Sequence, residues 1–241
     1  MKPTPNLATR LGNRFGTPTS QDYLHKIVKQ PNIKLALDIG CGITSHLTRY
    51  RPRLLTTGLD VFTIEQATIG NAHDHYISAD ITKISVDHVT EELETLFGRP
   101  RADVVTLFGV LEHLTRNAGL EILEKIEKLS DKFILIETPN GFVPQGPEFG
   151  NPYQRHLSGW TPADFEAFGY QVHGSLGTKY MRGYMGEPRL PLPGIRFFDN
   201  VVLARLLMTN RFPQHAFCIT AIKDIRGVPA RYDAYDDPNR I

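Results

Sequence analysis

The chain has 241 residues, 41% of them hydrophobic and 22% charged, and 27 Lys and Arg against 26 Asp and Glu leave a formal net charge of +1. That size and apolar share suffice for one large packed domain or a domain with an appendage. Near-neutral charge argues against a nucleic-acid coat or a polybasic membrane anchor, so no nucleic-acid partner is expected. Cys41 and Cys218 are the only cysteines and support neither a disulfide framework nor a thiolate zinc site. No stretch approaches the ~18–20 consecutive apolar residues of a membrane span, which excludes integral membrane association by a helix. The start Met1-Lys2-Pro3-Thr4-Pro5 lacks the apolar run of a secretory signal, and a soluble cytoplasmic protein is expected.

Residues 1–32 read as an arm rich in Pro, Gly, Asn and Thr followed by a short helix at Gln21–Val28 that stops near Pro31. A long alternation follows. Lys34–Ile39, Leu55–Asp60, His75–Ala79, Ala102–Phe108 and Lys132–Glu137 have the short apolar runs of buried strands. The stretches between them are expected to be helical. Gly119–Leu129 is the clearest, with Leu120, Leu123, Ile126 and Leu129 on one face and Glu121–Lys125 and Glu124–Lys128 as i,i+4 pairs on the other. This order predicts an α/β fold, a parallel sheet with helices on both faces. Residues 138–160 form a long Pro-, Gly- and Asn-rich loop, a length that suits a functional element. Thr161–Phe168 reads as a helix with Thr161 at its cap and Pro162 at its first position. Gln171–Leu176 and Ala216–Lys223 complete seven strands, the last antiparallel. Between them Thr178–Gln214 holds six Lys or Arg and two acids, a net charge of +4. Its Phe197–Met208 part is apolar around most of a helix. Burial in the domain is the first expectation for it, a homodimer contact the second and docking on a membrane surface the third.

The strand Leu35-Ala36-Leu37-Asp38-Ile39 runs into Gly40-Cys41-Gly42. Glycines allow a tight turn and close ligand approach, and a following helix would aim N–H groups at the ligand. Asp60, 20 residues beyond Gly40, ends the next strand, where a carboxylate accepts ribose hydroxyls. A dinucleotide and S-adenosylmethionine both use this geometry. Asp38 favours the second. Beside a diphosphate it would be a like charge, costing ~4 kcal/mol at ~4 Å and an effective dielectric of 20. For a ligand carrying an ammonium and a sulfonium it is an attraction. Asp80 ends the third strand, so three aspartates line the sheet edge where open α/β folds bind ligands.

LDIGCG (37–42), GLD (58–60), SAD (78–80), VVTLFGVLEHL (104–114), ETPNGF (137–142) and GNPYQRHLSGW (150–160) resemble the successive motifs of class I S-adenosylmethionine-dependent methyltransferases. The chain is similar to a methyltransferase-domain group related to the ubiquinone-pathway O-methyltransferases, over about residues 33–225, with 226–241 as a tail. The resemblance implies a Rossmann-like, mostly parallel seven-stranded sheet and S-adenosyl-L-methionine as cofactor. It further implies that Asp38, Gly40 and Gly42 face the methionine part, Asp60 and Val61 the ribose, Asp80 and Ile81 the adenine, and that Phe108 and Gly109 lie beside the methyl group. Thr44 replaces a usual glycine, and Gly109 a usual acidic or polar residue.

Methyl transfer from a sulfonium is an in-line displacement in which alignment supplies much of the acceleration. A hydroxyl acceptor also calls for a base, and His113 and His156 are the candidates. Small-RNA 3′-end methyltransferases carry a metal-binding Glu-x-x-Glu-His near Glu112-His113. Here Gly109 stands three residues before Glu112, so a ligand is missing and no metal is expected. Phe142, Gln145, Tyr153, Gln154 and Arg155 are expected to close over a small-molecule acceptor, with Trp160 in the core. The basic segment suits an anionic acceptor. A nicotinamide-dependent oxidoreductase and a non-catalytic cofactor-binding module remain alternatives.

Overall fold

The computed structural model describes residues 17–42, 45–66, 72–147, 151–190 and 192–226. Most of the expected arm, Thr44 and the tail beyond 226 lie outside them. Helix α1 (Ser20–Val28) begins at Thr19, whose main-chain N–H and hydroxyl both donate to Asp22. Strands β1 (Leu35–Ile39), β2 (Leu55–Asp60), β3 (His75–Ser78), β4 (Ala102–Phe108) and β5 (Ser130–Pro139) form the parallel part of the sheet. Strand β7 (Ala216–Asp224) runs antiparallel between β5 and β6 (Gln171–Thr178), which completes the seven-stranded order β3-β2-β1-β4-β5-β7-β6. The expected mixed Rossmann-like sheet is therefore present, and its order reverses beside β1, the place where such sheets take ligands.

Alternate strand residues enter two cores. Leu35, Leu37, Ile39, Val105, Leu107, Ile134 and Ile136 pack with α2 (Val86–Phe97) and α3 (Arg116–Leu129), whereas Ala36, Val104 and Leu135 pack with Leu24, Ile27 and Val28 of α1. Strands covered on both faces read as nearly unbroken apolar runs for this reason. Helix α3 starts at Arg116, three residues before its expected beginning, because Thr115 caps it, its hydroxyl accepting from the Ala118 N–H. Lys125 does not hold Glu121; its ammonium donates to the carbonyls of Ile81 and Ile84 at 2.7 Å each, tying α3 to the turn after β3. Helix α4 (Pro162–Glu166) carries the expected Thr161 cap, closed by Asp164.

Two expectations are corrected. No α-helix follows the glycine turn among the described residues; Thr48–Tyr50 is a single 3-10 turn. Only twelve residues separate Gly42 from Leu55, and Pro52 among them cannot continue a helix. The Phe197–Met208 stretch is not buried as a whole. It is helical from Ile195 to Leu206 with a π segment at Phe198–Leu203. It turns Asp199 and Ala204 inward, while Leu206 is 72% exposed. The inward face is fixed by polar bonds: Asp199 accepts from the N–H and hydroxyl of Thr178 and pairs with the buried Arg182.

Candidate active site

The carboxyl edge of β1, β2 and β4 brings Asp38, Gly40, Gly42, Asp60, Phe108 and Gly109 into one place. Gly40 has φ +70°, and a Cβ on it would run into Val110, so only glycine fits the exit from β1. Asp38 is buried. Its Oδ1 accepts from the Thr106 hydroxyl on the paired strand at 2.6 Å and its Oδ2 from Ser45 at 2.5 Å. Burial pushes its carboxyl up to about 6 against these two bonds, and the neighbouring Asp60 charge adds to the rise. Asp60 accepts from the Gly42 N–H at 2.8 Å through Oδ2 and from the Phe62 N–H at 3.3 Å through Oδ1. Each oxygen keeps a second lone pair. Val61 follows, half-buried, in a turn that Tyr76 and Ser78 hold through the Phe62 carbonyl. Among the described residues neither Asp38 nor Asp60 has a Lys or Arg in an ion pair. Among the described residues the edge is acidic, with no cation paired to it.

Asp80 stands two residues past the end of β3. Its carboxylate caps its own turn, accepting from the Thr82 N–H at 2.9 Å and hydroxyl at 2.6 Å and pairing with Lys83. Burial works to raise its carboxyl, but those bonds outweigh it and hold it low. Ile81 beside it is buried. Phe108 is half-buried and meets the His46 ring, with centroids 6.0 Å apart. Gly109 is exposed at φ +68° and donates to the Glu137 carbonyl.

On the other side of β4, the turn Leu111–His113 and the loop 151–160 bring His113 and His156 together, ring centroids 4.9 Å apart and nearly perpendicular. Burial lowers the His113 imidazole below its usual range, the Arg155 carbonyl opposes this, and His156 adds to the lowering. Glu112 between them and the sheet is buried; burial pushes it up to about 7 against its own N–H and the Thr138 hydroxyl, which donates to its Oε2 at 3.0 Å. Its main-chain carbonyl takes the N–H groups of Leu157 and Ser158, so the loop is pinned to the turn. Trp160 is fully buried as expected, its indole N–H donating to Ser158 and to the Leu111 carbonyl. His156, Arg155, Phe142, Gln145 and Tyr184 line an open cleft of about 540 Å³. Tyr153 lies away from this wall, exposed and edge-on to Phe62. The sequence reading missed the partner roles of Thr106, Thr138 and Tyr184. Hydroxyls inside strands or loops carry no motif that marks them as holding a particular carboxylate.

No family model matches the sequence, and no curated protein matches it either. Solved structures do. A SAM-dependent methyltransferase from Archaeoglobus fulgidus is similar with a TM-score of 0.50 and 16% identity, over 91% of this chain and 100% of that one. The N-terminal domain of EvdMO1, solved with SAH bound, is similar at 0.50 and 13% identity, over 88% of this chain and 83% of its own. The small RNA methyltransferase HEN1 is similar at 0.51 and 16% identity, over 94% of this chain but 27% of that larger one. At these identities the likeness defines the fold. The chain has the Rossmann-like fold shared by S-adenosylmethionine-dependent methyltransferases.

Proposed function

We propose that the chain is an S-adenosylmethionine-dependent methyltransferase that moves a methyl group to an oxygen or nitrogen of a small-molecule acceptor. One observation carries this reading: two buried aspartates, Asp38 and Asp60, face the carboxyl edge at the sheet's switch point, and among the described residues no Lys or Arg pairs with either. Such an edge repels a diphosphate and attracts a cationic nucleoside. The residues present fit that cofactor. Asp38 with Gly40 and Gly42 would hold the amino-acid part, and Asp60, with a lone pair left on each oxygen, would accept the ribose hydroxyls beside Val61. Asp80 and Ile81 would border the adenine, and Phe108 and Gly109 would lie beside the methyl group. When bound, the cofactor supplies a sulfonium methyl that an acceptor lone pair takes as the C–S bond breaks to leave a neutral thioether.

The chain's own part is positioning. The main-chain bonds from Leu157 and Ser158 to Glu112 fix the loop that places His156 against His113, and either imidazole would accept a hydroxyl proton. The wall of Phe142, Gln145, Arg155 and Tyr184 would orient the acceptor. An anionic acceptor suits the segment above it. Arg182 and Arg196 take the two acids of that segment, so Lys179, Arg189, Arg205 and Arg211 carry its net positive charge. Kinship with the ubiquinone-pathway O-methyltransferase group and a cytoplasmic location accord with this reading. A metabolite extract incubated with the protein and isotopically labelled methyl donor tests it. One or a few small molecules should gain the label by mass spectrometry, and an extract that gains none would count against turnover.

A further inference from the structure

Arg205 and Arg211 stand six residues apart, which on a continuing helix is about 240° of rotation and would point them apart. Here both line one pocket of about 280 Å³. The chain reverses between them. The helix ends at Leu206, and Met208 takes φ +47°, a conformation that residues with a Cβ rarely adopt. The Met208 N–H donates to the Arg205 carbonyl at 3.0 Å and the Arg211 N–H to the Met208 carbonyl at 2.8 Å, which closes the reversal. Backbone strain of this kind concentrates where local geometry serves a site.

The other rim of the pocket is Thr17 and Pro18, just before α1. Asn210 joins the two rims. Its amide donates to the Tyr23 hydroxyl of α1 at 2.9 Å, and the Tyr23 ring stacks on His173 of β6 with centroids 4.7 Å apart. Two residues past Pro18, Ser20 donates its N–H and hydroxyl to Glu137, which pairs with Phe108 across β4 and β5. The pocket is thus tied to the strand end where the acceptor is proposed to meet the methyl group. Pro18, Ala204 and Met208 give it an apolar wall.

Among the described residues neither guanidinium has an acidic partner, and the acids of both segments are engaged elsewhere: Asp22 with Thr19, Asp199 with Thr178 and Arg182, and Glu187 with Arg196. Two guanidinium charges match a phosphate monoester, which carries about −1.5 to −2 at pH 7, whereas a carboxylate matches only one. A volume near the low end for ligand sites leaves room for that group and a few atoms of what bears it.

We propose that Arg205 and Arg211 clamp a phosphate monoester, the anionic end of the acceptor. The inference rests on the function proposed above for there being an acceptor, and narrows it from an anion to a soluble phosphorylated compound.

The full-length protein is titrated with phenyl phosphate and with benzoate by calorimetry at fixed ionic strength. One phenyl phosphate should bind per chain, about tenfold tighter than benzoate. Arg205→Gln and Arg211→Gln should each weaken it at least about fivefold through lost charge-assisted bonds, with unchanged melting because both side chains are exposed. Arg196→Gln, which removes an arginine of the same segment that is paired with Glu187, should leave it unchanged. No binding, benzoate bound as tightly, or an equal loss in Arg196→Gln overturns the site. Phosphatidylcholine vesicles containing phosphatidate should not sediment the protein; sedimentation abolished by Arg205→Gln would assign the pocket to a lipid headgroup and overturn the acceptor. SAH titrated into the same samples separates the two readings. Phenyl phosphate bound while SAH is ignored removes the cofactor and keeps the pocket, and the converse removes the pocket alone.

Discussion

Asp38 and Asp103 are both buried aspartates in the same sheet, at opposite edges, and their surroundings differ in kind. Asp103, on β4 at the amino edge, receives Arg99 through two bonds, Lys132 at 2.8 Å, and the N–H groups of Lys34 and Leu35. Burial raises its carboxyl, but those four partners overwhelm that and hold it far below the usual range. Asp38, at the carboxyl edge, has two hydroxyls and, among the described residues, no cation, and burial pushes it up to about 6. The same residue type is saturated where the fold is held together and left short of positive charge at the edge proposed to take the cofactor. A carboxylate kept in that state costs stability until a cation meets it, a trade usual at sites.

That contrast can be broken by substitution. Asp103→Ala should have the largest effect, a loss of about 3 kcal/mol in chemical denaturation. Removing one partner of a buried pair costs ~3–5 kcal/mol, and the partial exposure of Arg99 and Lys132 puts this case at the low end. SAH affinity of the folded variant should stay within about twofold. Its sign with pH follows from a depressed carboxyl: the stabilisation is present above the unfolded-state value and is lost as pH falls toward the folded one. Asp60→Ala should do the reverse, leaving stability nearly intact while weakening SAH binding by roughly 1–3 kcal/mol in calorimetry, as charge-assisted bonds are lost. An unchanged affinity would remove Asp60 from the site.

Asp38→Asn sharpens the comparison. With the folded carboxyl raised, the ligand-free protein loses stability as pH rises from the unfolded-state value through about 6, so the amide should raise the melting point at neutral pH by the equivalent of about 1 kcal/mol. SAH affinity of the wild type should fall as pH drops from 7 to 5, because the carboxyl must give up its proton to meet an ammonium. In the variant the affinity should be weaker and flat over that range. The smallest effect belongs to Arg155→Ala on the cleft wall: stability within about 0.5 kcal/mol and SAH affinity unchanged, with a raised KM for the acceptor once a labelled one is in hand.

The strands and the glycine turn with its flanking aspartates were legible because both are local. A strand covered on two faces is a short apolar run, and its glycines and aspartates occupy fixed places at its end. The glycine pattern predicts a helix after the turn, and the short span to β2 with Pro52 in it leaves only the 3-10 turn Thr48–Tyr50 among the described residues. The Phe197–Met208 stretch misled in another way. Its inward face is chosen by Asp199 meeting Arg182 and Thr178, three residues whose proximity the sequence does not announce, so the leucines opposite stay outside. His113 and His156 were each visible as candidate bases. Their convergence with Glu112 was not, since it depends on a loop more than forty residues downstream returning to the β4 turn through the Glu112 carbonyl.

Calorimetric titration of the full-length protein at neutral pH, with SAH in one arm and NADH in the other, addresses the acidic edge most directly. Micromolar binding of SAH at one site per chain, with no heat from NADH, is the predicted result. Tight NADH binding with SAH ignored at millimolar concentration would contradict it and return the glycine turn to a dinucleotide.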